Sequence, residues 1–187
     1  WVTGPGAALF SALERELGKL PIIAEDLGVI TPDVEEIRDG FGFPGMKVLQ
    51  FGFGGTGTDP YLPHNHIQNC VVYTGTHDND TTEGWWRACS EQERTFTQLY
   101  LGRDGSDIAW DMIRVALASV ADMAIVPMQD LYSLGTEARM NMPGRLGGNW
   151  GWRYTADMLE PDVAERLRLL TSLYGRLPET PSSESEE

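Results

Sequence analysis

Two pairs of polar side chains in this chain each follow a short apolar stretch. Glu25 and Asp26 come after the apolar residues 21–24, and His77 and Asp78 close a second apolar stretch. An acid at the end of a strand is held by a rigid backbone and exposed by the following loop, and chemistry collects there in α/β proteins. Two such acids facing one cleft predict carboxylate chemistry on a neutral, oxygen-rich substrate. A sugar is the first candidate.

Short strands are the elements that must position these acids. A short apolar run bounded by turn signals is typical of a buried strand. We predict four strands, near residues 21–25, 46–51, 70–76 and 123–127. Helical patterns separate them, so the sequence indicates a parallel α/β arrangement. The strands would form the second half of a (β/α)8 TIM barrel, because 187 residues are fewer than the roughly 250 of a complete one.

The ends of the chain suggest a part of a larger protein. The chain begins at Trp1 rather than at a methionine, so we interpret it as the C-terminal part of a protein whose N-terminal half is missing. Residues 1–177 would then be the C-terminal part of a catalytic barrel. Residues 178–187 contain only Pro, Glu, Thr and Ser, a composition that predicts a disordered acidic tail.

The chain is strongly acidic, with a formal net charge of −14. Binding of nucleic acid requires a basic surface, and binding of an anionic membrane requires a Lys/Arg-rich amphipathic stretch. Because the sequence offers neither, we expect no nucleic acid and no membrane among its partners. Cys70 and Cys89 are too few for a disulfide scaffold, and we interpret them as reduced thiols of a cytoplasmic protein.

Glu25 has two interpretations. It could be a structural acid that caps the next loop. It could also be a general acid/base, because a carboxyl at the end of an apolar strand is partly desolvated and keeps a proton available. Asp26 would point elsewhere, since neighbouring side chains of a strand alternate between its two faces. For Asp26 the sequence leaves two roles open, orientation of a loop and contact with substrate.

His77 and Asp78 have three interpretations. A metal site would need further ligands such as His64 or His66, but these lie in another loop whose remaining residues add no usual ligand. A buried structural pair of histidine and aspartate is the second interpretation. The third, which we favour, is a carboxylate that stabilises developing positive charge beside an imidazole that binds sugar hydroxyls.

Aromatic residues in loops support a sugar substrate, because pyranose faces stack on aromatic rings. Trp150 and Trp152 lie in a glycine-rich stretch and are the best placed for stacking. For Trp85, Trp86 and Trp110 we predict a place in the core between helices and strands. The glycine clusters do not form a nucleotide-binding motif in a strand–helix context, and no metal or organic cofactor is predicted.

Five motifs of the chain carry a family resemblance. They are residues 25–28 (EDLG), 43–51 (FPGMKVLQF), 61–65 (YLPHN), 73–81 (YTGTHDNDT) and 139–144 (RMNMPG). In this order they resemble the motifs of amylomaltases, the 4-alpha-glucanotransferases or disproportionating enzymes of the alpha-amylase clan. The resemblance runs from Trp1 to about Tyr174. It implies a (β/α)8 barrel that acts on maltooligosaccharides and starch-like or glycogen-like α-1,4-glucans.

The resemblance also implies roles for individual residues. The reaction would be a retaining transfer of glucan segments through a covalent glycosyl-enzyme, which uses two carboxyl groups about 5–5.5 Å apart. By motif match, Glu25 is the acid/base, Asp78 stabilises the transition state, and His77 binds sugar hydroxyls at the cleavage point. Further substrate contacts would come from Asp26, His64 and Asn149.

The nucleophile of the family is absent from this chain. It is an aspartate of an earlier strand, in an Arg-x-Asp-His type motif that the 187 residues do not contain. We therefore expect the isolated chain to be inactive and to need the N-terminal half of the same protein. The alternatives are an α-glucan hydrolase of the same clan and an inactive glucan-binding fragment.

Overall fold

A computed structural model of the protein describes residues 2–178, so the predicted tail lies outside the described residues from residue 179 onward. Within them the chain forms three strands, at Gly45–Val48 (β1), Cys70–Tyr73 (β2) and Met123–Ile125 (β3). It also forms eight α-helices, at Ala7–Leu17 (α1), Pro32–Gly40 (α2), Leu49–Gly52 (α3), Thr82–Ala88 (α4), Glu91–Leu101 (α5), Ile108–Ala118 (α6), Met128–Leu131 (α7) and Pro161–Leu173 (α8). Short 3-10 helices lie at Pro63–Asn65, Thr136–Ala138 and Ala156–Met158. Within this range no helix is both long enough and apolar enough to span a bilayer.

The three strands form one parallel sheet in the order β1, β2, β3. β1 and β2 begin side by side, with Gly45 opposite Cys70. The strands predicted near 46–51, 70–76 and 123–127 are confirmed as parallel neighbours, although each is shorter than predicted. The sheet is open at β1 and β3, and residues 2–178 do not by themselves close a barrel.

The stretch predicted as the first strand, residues 21–25, is not a strand. It runs extended beside β1, and a main-chain hydrogen bond from Ala24 N to Pro44 O (2.9 Å) joins the two segments. The prediction of a buried strand is wrong here, because Ile23 is 41% exposed. Pro21 and Pro44 also lack the N–H groups that a regular ladder of hydrogen bonds requires.

α6 joins two hydrophobic cores. One core lies between α6, α4 and the sheet, and its largest members are Leu49, Phe53, Leu62, Val72, Trp86, Ile108 and Met112. The other core lies between α6 and α8 and is built from Trp110, Ile113, Leu117 and Leu170. Trp86 and Trp110 are buried as predicted, and Trp85 packs partly buried against the first core. α6 is therefore apolar on two faces, whereas most surface helices bury one.

Arg176, just after α8, fastens the C-terminal end of the described chain to the connection between α6 and β3. Its Nε donates to Leu117 O (2.7 Å), and its Nη2 donates to Ser119 O (2.9 Å) and Ala121 O (2.7 Å). These acceptors are carbonyls at and beyond the end of α6, which have no partner within the helix. Arg176 thus holds α8 beside the start of β3.

Local hydrogen bonds of side chains fix the starts of α4 and α5. α5 begins with a capping box, in which Ser90 and Glu93 exchange hydrogen bonds (2.8 and 3.2 Å). The cap of α4 is not Asp80, although Asp80 precedes Glu83 by three positions as in a capping box. Thr81 caps this helix through its Oγ1, which accepts from Gly84 N (3.0 Å). Asp80 is engaged elsewhere, because its Oδ2 accepts from Thr136 Oγ1 (2.8 Å).

Candidate active site

Glu25 and Asp78 line one cavity of about 640 Å³. The cavity lies beside β1 and the carboxyl end of β2, where Met46 and Tyr73 form part of its wall. His77 lines it as well. The two acids lie 53 positions apart in sequence and reach the same space from different segments. Such an arrangement can donate a proton and stabilise positive charge on the same substrate.

Asp78 lies on a tight turn that follows β2. Asn79 closes the turn, since its Oδ1 accepts from Thr76 N (2.9 Å) and from Thr76 Oγ1 (2.8 Å). The His77 Nε2 lies 3.4 Å from Asp78 Oδ1, and the two side chains are 51% and 45% exposed. The pair is therefore not the buried structural pair that the sequence left open.

A second segment, residues 139–141, holds this turn from outside. Asn141 Nδ2 donates to Asp78 Oδ1 (2.5 Å), and Arg139 Nη2 donates to the main-chain oxygen of Asp78 (2.7 Å). Neither residue was predicted from the sequence as part of the site. Their only signal was the motif at residues 139–144, which carried the resemblance without a role for its members.

A buried acid supports the turn from beneath. Asp130, at α7, is 1% exposed and accepts three hydrogen bonds, from Thr74 Oγ1 (2.5 Å), Thr82 N (2.8 Å) and Thr82 Oγ1 (2.8 Å). Burial raises the pKa of Asp130 above its usual range, and the hydrogen bonds from Thr74 and Thr82 oppose that shift. Because Thr74 and Thr82 flank the turn on both sides, Asp130 fixes both of its ends.

Glu25 is held more loosely. Its side chain is exposed and makes no hydrogen bond to any residue from 2 to 178, so the desolvation expected at a strand end is not present. Tyr73, in the wall of the same cavity, is affected by its charge. Burial raises the pKa of the Tyr73 hydroxyl, and the charge of Glu25 adds to that rise.

Asp26 turns away from the cavity and is buried. Its Oδ2 pairs with Arg38 Nη1 (2.5 Å), and its Oδ1 accepts from Met46 N (2.7 Å). Both oxygens are thus engaged within the protein, and Asp26 ties residues 21–28, here named the Glu25 arm, to α2 and β1. Gly45 makes room for this contact, because a Cβ there would lie 2.3 Å from Asp26 Oδ2.

His64 and Asn149 do not line this cavity, and both form hydrogen bonds within the protein. The ring of His64 bonds to Tyr100 Oη (2.9 Å) and Gly57 O (2.7 Å). Asn149 Oδ1 accepts from Met142 N (3.0 Å). Both side chains therefore shape loops next to the cavity.

The metal interpretation gains no support. Among residues 2–178, no group of three or more His, Cys, Asp or Glu side chains is placed to hold a metal ion. His66 is buried, and its Nε2 donates to Tyr61 O (2.9 Å). Burial lowers the pKa of His66, so its ring is kept neutral. Through this bond His66 holds Tyr61, which lines the cavity.

Trp150 lies beside the histidine of the site. Its ring centroid is 5.1 Å from that of His77, and the residue is 52% exposed. Its backbone has a φ of 59°, a conformation that costs energy for a residue other than glycine. One of the two predicted stacking residues thus lies next to His77 with half of its surface exposed.

Comparisons with known proteins agree on one family. The family model described as 4-alpha-glucanotransferase matches residues 1–159. The chain is 53% identical over 182 residues to the chloroplastic/amyloplastic 4-alpha-glucanotransferase of Arabidopsis thaliana, a match that covers 95% of this chain and 31% of that protein. It is 47% identical over 185 residues to the 4-alpha-glucanotransferase of Thermus thermophilus, covering 95% of this chain and 37% of that protein.

Solved structures give the same result for the fold. The amylomaltase of Streptococcus agalactiae, determined in complex with acarbose, matches with a TM-score of 0.91 at 38% identity, over 95% of this chain and 36% of that one. The chain thus spans about a third of the length of the relatives it matches. With the match over residues 1–159 and the five motifs in order, the chain belongs to the 4-alpha-glucanotransferase (amylomaltase) family.

Proposed function

We propose that this chain is the C-terminal part of a 4-alpha-glucanotransferase that moves α-1,4-glucan segments between maltooligosaccharides and starch-like glucans. The observation that carries the proposal is that Glu25 and Asp78 line one cavity from two different segments. The names of the relatives give the reaction, and the amylomaltase determined with acarbose supports a glucan-like ligand.

The geometry supports a division of labour between the two acids. Glu25, exposed and without a hydrogen-bond partner among residues 2–178, gives a proton to the glycosidic oxygen as the bond to the leaving glucan breaks. It then takes a proton from the hydroxyl of the acceptor glucan as the new bond forms. Asp78, fixed on its turn, stabilises the positive charge that develops on the sugar ring, and His77 binds its hydroxyls.

The nucleophile of the retaining mechanism has to come from outside this chain. We assign it to the part of the protein that precedes Trp1, which would also supply the remaining strands of a (β/α)8 barrel. The share of 31% to 37% of the relatives' length and the open edges of β1 and β3 support this assignment. That N-terminal half is the one macromolecular partner we propose, beside α-1,4-glucans as substrates.

Other residues of the site have lesser proposed roles. Asp26 orients the Glu25 arm, because both of its oxygens are engaged by the protein. His64 and Asn149 shape the loops that face substrate, where they could contact a glucan longer than the cavity. A cytoplasmic location stays a prediction that rests on the free thiols of Cys70 and Cys89.

Incubation of the full-length protein with maltotriose and labelled glucose tests the function. We expect label in maltose and in longer oligosaccharides, because the glycosyl group is passed to a sugar hydroxyl. Release of glucose and maltose with no labelled product would identify a hydrolase. Binding of maltooligosaccharides without any turnover would identify a glucan-binding protein.

A further inference from the structure

The carboxylate of Asp78 is positioned by residues that are distant in sequence. Its own turn holds only the main chain, where Asp78 N donates to Thr76 Oγ1 (3.3 Å). The side chain is 45% exposed, and its rotatable bonds leave the direction of the carboxylate open. A carboxylate that stabilises charge in a transition state has to be held before the reaction begins. The restraint must therefore come from another segment.

Asn141 supplies that restraint on both residues of the pair. Its Nδ2 donates to Asp78 Oδ1 (2.5 Å), and its main-chain N donates to His77 O (3.0 Å). Asn141 itself does not line the cavity. Its amide therefore acts on the acid without occupying the space of the substrate.

Arg139 locks the two segments together. Its Nε donates to Asn141 O (2.8 Å), while its Nη2 donates to Asp78 O (2.7 Å). Both acceptors are main-chain carbonyls, so the guanidinium sets the distance between the segments and does not pair with the carboxylate. A planar guanidinium can bridge two acceptors in fixed geometry, and the single ammonium of a lysine cannot reproduce this.

The two oxygens of Asp78 are consequently not equivalent. Oδ1 accepts the hydrogen bond from Asn141 and also lies 3.4 Å from His77 Nε2. Oδ2 accepts no hydrogen bond from any residue in the described range 2–178. The oxygen that remains free is the one that can approach the sugar ring.

We propose that Asn141 and Arg139 are positioning residues for Asp78, which hold Oδ1 and so present Oδ2 to the reacting sugar. This inference rests on the proposed function of the site. It adds residues that act through Asp78 and do not touch the substrate. Arg139 acts on the main chain, whereas Asn141 acts on the carboxylate directly.

The test compares four variants of the full-length protein by their kcat and KM for maltotriose. Asn141→Ala removes the amide, and Asn141→Asp replaces the donor by a carboxyl of the same shape. Arg139→Lys keeps the positive charge but loses the planar guanidinium that bonds to both main-chain carbonyls. Asn69→Ala is the control, because Asn69 likewise donates a single side-chain hydrogen bond, to Gly42 O (3.3 Å) at the opposite end of β2.

We expect Asn141→Ala to lower kcat by about 10- to 100-fold, because small misplacement of a catalytic group costs up to this factor. KM should change by less than about threefold, since the lost restraint acts in the transition state. Arg139→Lys should have a smaller effect of the same kind, and Asn69→Ala should leave kcat unchanged. Asn141→Asp should be impaired at neutral pH and recover as the pH is lowered, because its carboxyl can donate to Asp78 Oδ1 only while it holds a proton.

The outcomes separate this inference from the proposed function. Absence of transfer by the wild type would overturn the function. Transfer by the wild type with kcat of Asn141→Ala within twofold would overturn only the positioning role. If Asn141→Ala does not fold, Asn141→Asp decides, because it keeps the main-chain bond to His77. A pH profile of that variant identical to the wild type would contradict the proposal.

Discussion

The turn that carries Asp78 and the arm that carries Glu25 face the same cavity, but the protein holds them differently. The turn is bonded from below by Asp130 and from outside by Asn141 and Arg139. The Glu25 arm is joined to β1 by one main-chain bond and by Asp26. The carboxylate of Glu25 makes no hydrogen bond to the residues from 2 to 178.

This difference suits the roles proposed for the two acids. A group that stabilises charge has to stay in one orientation, because reorientation during the reaction costs free energy. An acid/base has to meet the oxygen of the leaving glucan and then that of the acceptor, which do not arrive in identical positions. Asp78 is therefore fixed at its own carboxylate, whereas Glu25 is restrained through its neighbour Asp26.

The largest expected effects are on the chemistry of the two acids. In the full-length protein, Glu25→Gln and Asp78→Asn should each lower the rate of transfer by about 10²- to 10⁴-fold, the contribution typical of a positioned acid/base and of a group that stabilises charge in the transition state. The melting temperature should stay close to that of the wild type. The rate is measured as glucose released from maltotriose, with Glu14→Gln on the exposed face of α1 as control.

The two acids can be judged separately. Near-normal turnover of Glu25→Gln would remove Glu25 from the acid/base role, whatever Asp78 does. Unchanged kinetics of Asp78→Asn alone would return His77 and Asp78 to a structural role and leave Glu25 in place. The contrast between a fixed and a loose acid would then have no catalytic meaning.

The next largest effect is expected on the free energy of unfolding, when the support beneath the turn is removed. Asp130→Ala should lower the free energy of unfolding by about 2–4 kcal/mol, because Thr74 and Thr82 keep buried donors without an acceptor. Urea denaturation of the full-length protein measures this change. Asp162→Ala, at an exposed position of α8, should cost less than about 1 kcal/mol. Equal effects of the two substitutions would mean that Asp130 does not anchor the turn.

The smallest expected effect tests the anchor of the arm. In Gly45→Ala the new Cβ would lie 2.3 Å from Asp26 Oδ2, so the pair of Asp26 and Arg38 has to shift. We expect a loss of about 1–3 kcal/mol in the free energy of unfolding, the usual cost of overpacking. The transfer rate should fall several-fold as Glu25 moves. Gly54→Ala, where nothing lies within 4 Å of the added Cβ, is the control; equal behaviour of both variants would show that Asp26 does not hold the arm.

Local signals in the sequence predicted much of the fold. The capping box of Ser90 and Glu93 and the end of α1 at Gly18 depend on residues a few positions apart, so both were predictable. Three strands were predictable because each coincides with a short apolar run, although only β2 is buried along most of its length, and Met123 and Ile125 of β3 are exposed. Residues 21–25 have a similar composition, but whether they pair as a strand depends on neighbours that no local pattern reveals.

The candidate site was predictable only in part. Glu25, His77 and Asp78 follow apolar runs, and that position alone singled them out. Asn141 and Arg139 could not be found in this way, because their partners lie about 60 positions earlier and residues 139–141 have no periodicity. For Asp26 the orientation away from Glu25 was expected, but its partner, an arginine twelve positions later, could not be identified from the local pattern.

The two-faced character of α6 has a consequence for shortened forms of the protein. The family match ends at residue 159, and α8 begins just beyond it. A chain cut there would retain every residue that lines the cavity, yet it would leave Trp110, Ile113 and Leu117 facing water. α8 thus contributes solubility to the protein, and its removal would produce aggregation before any defect in chemistry could be seen.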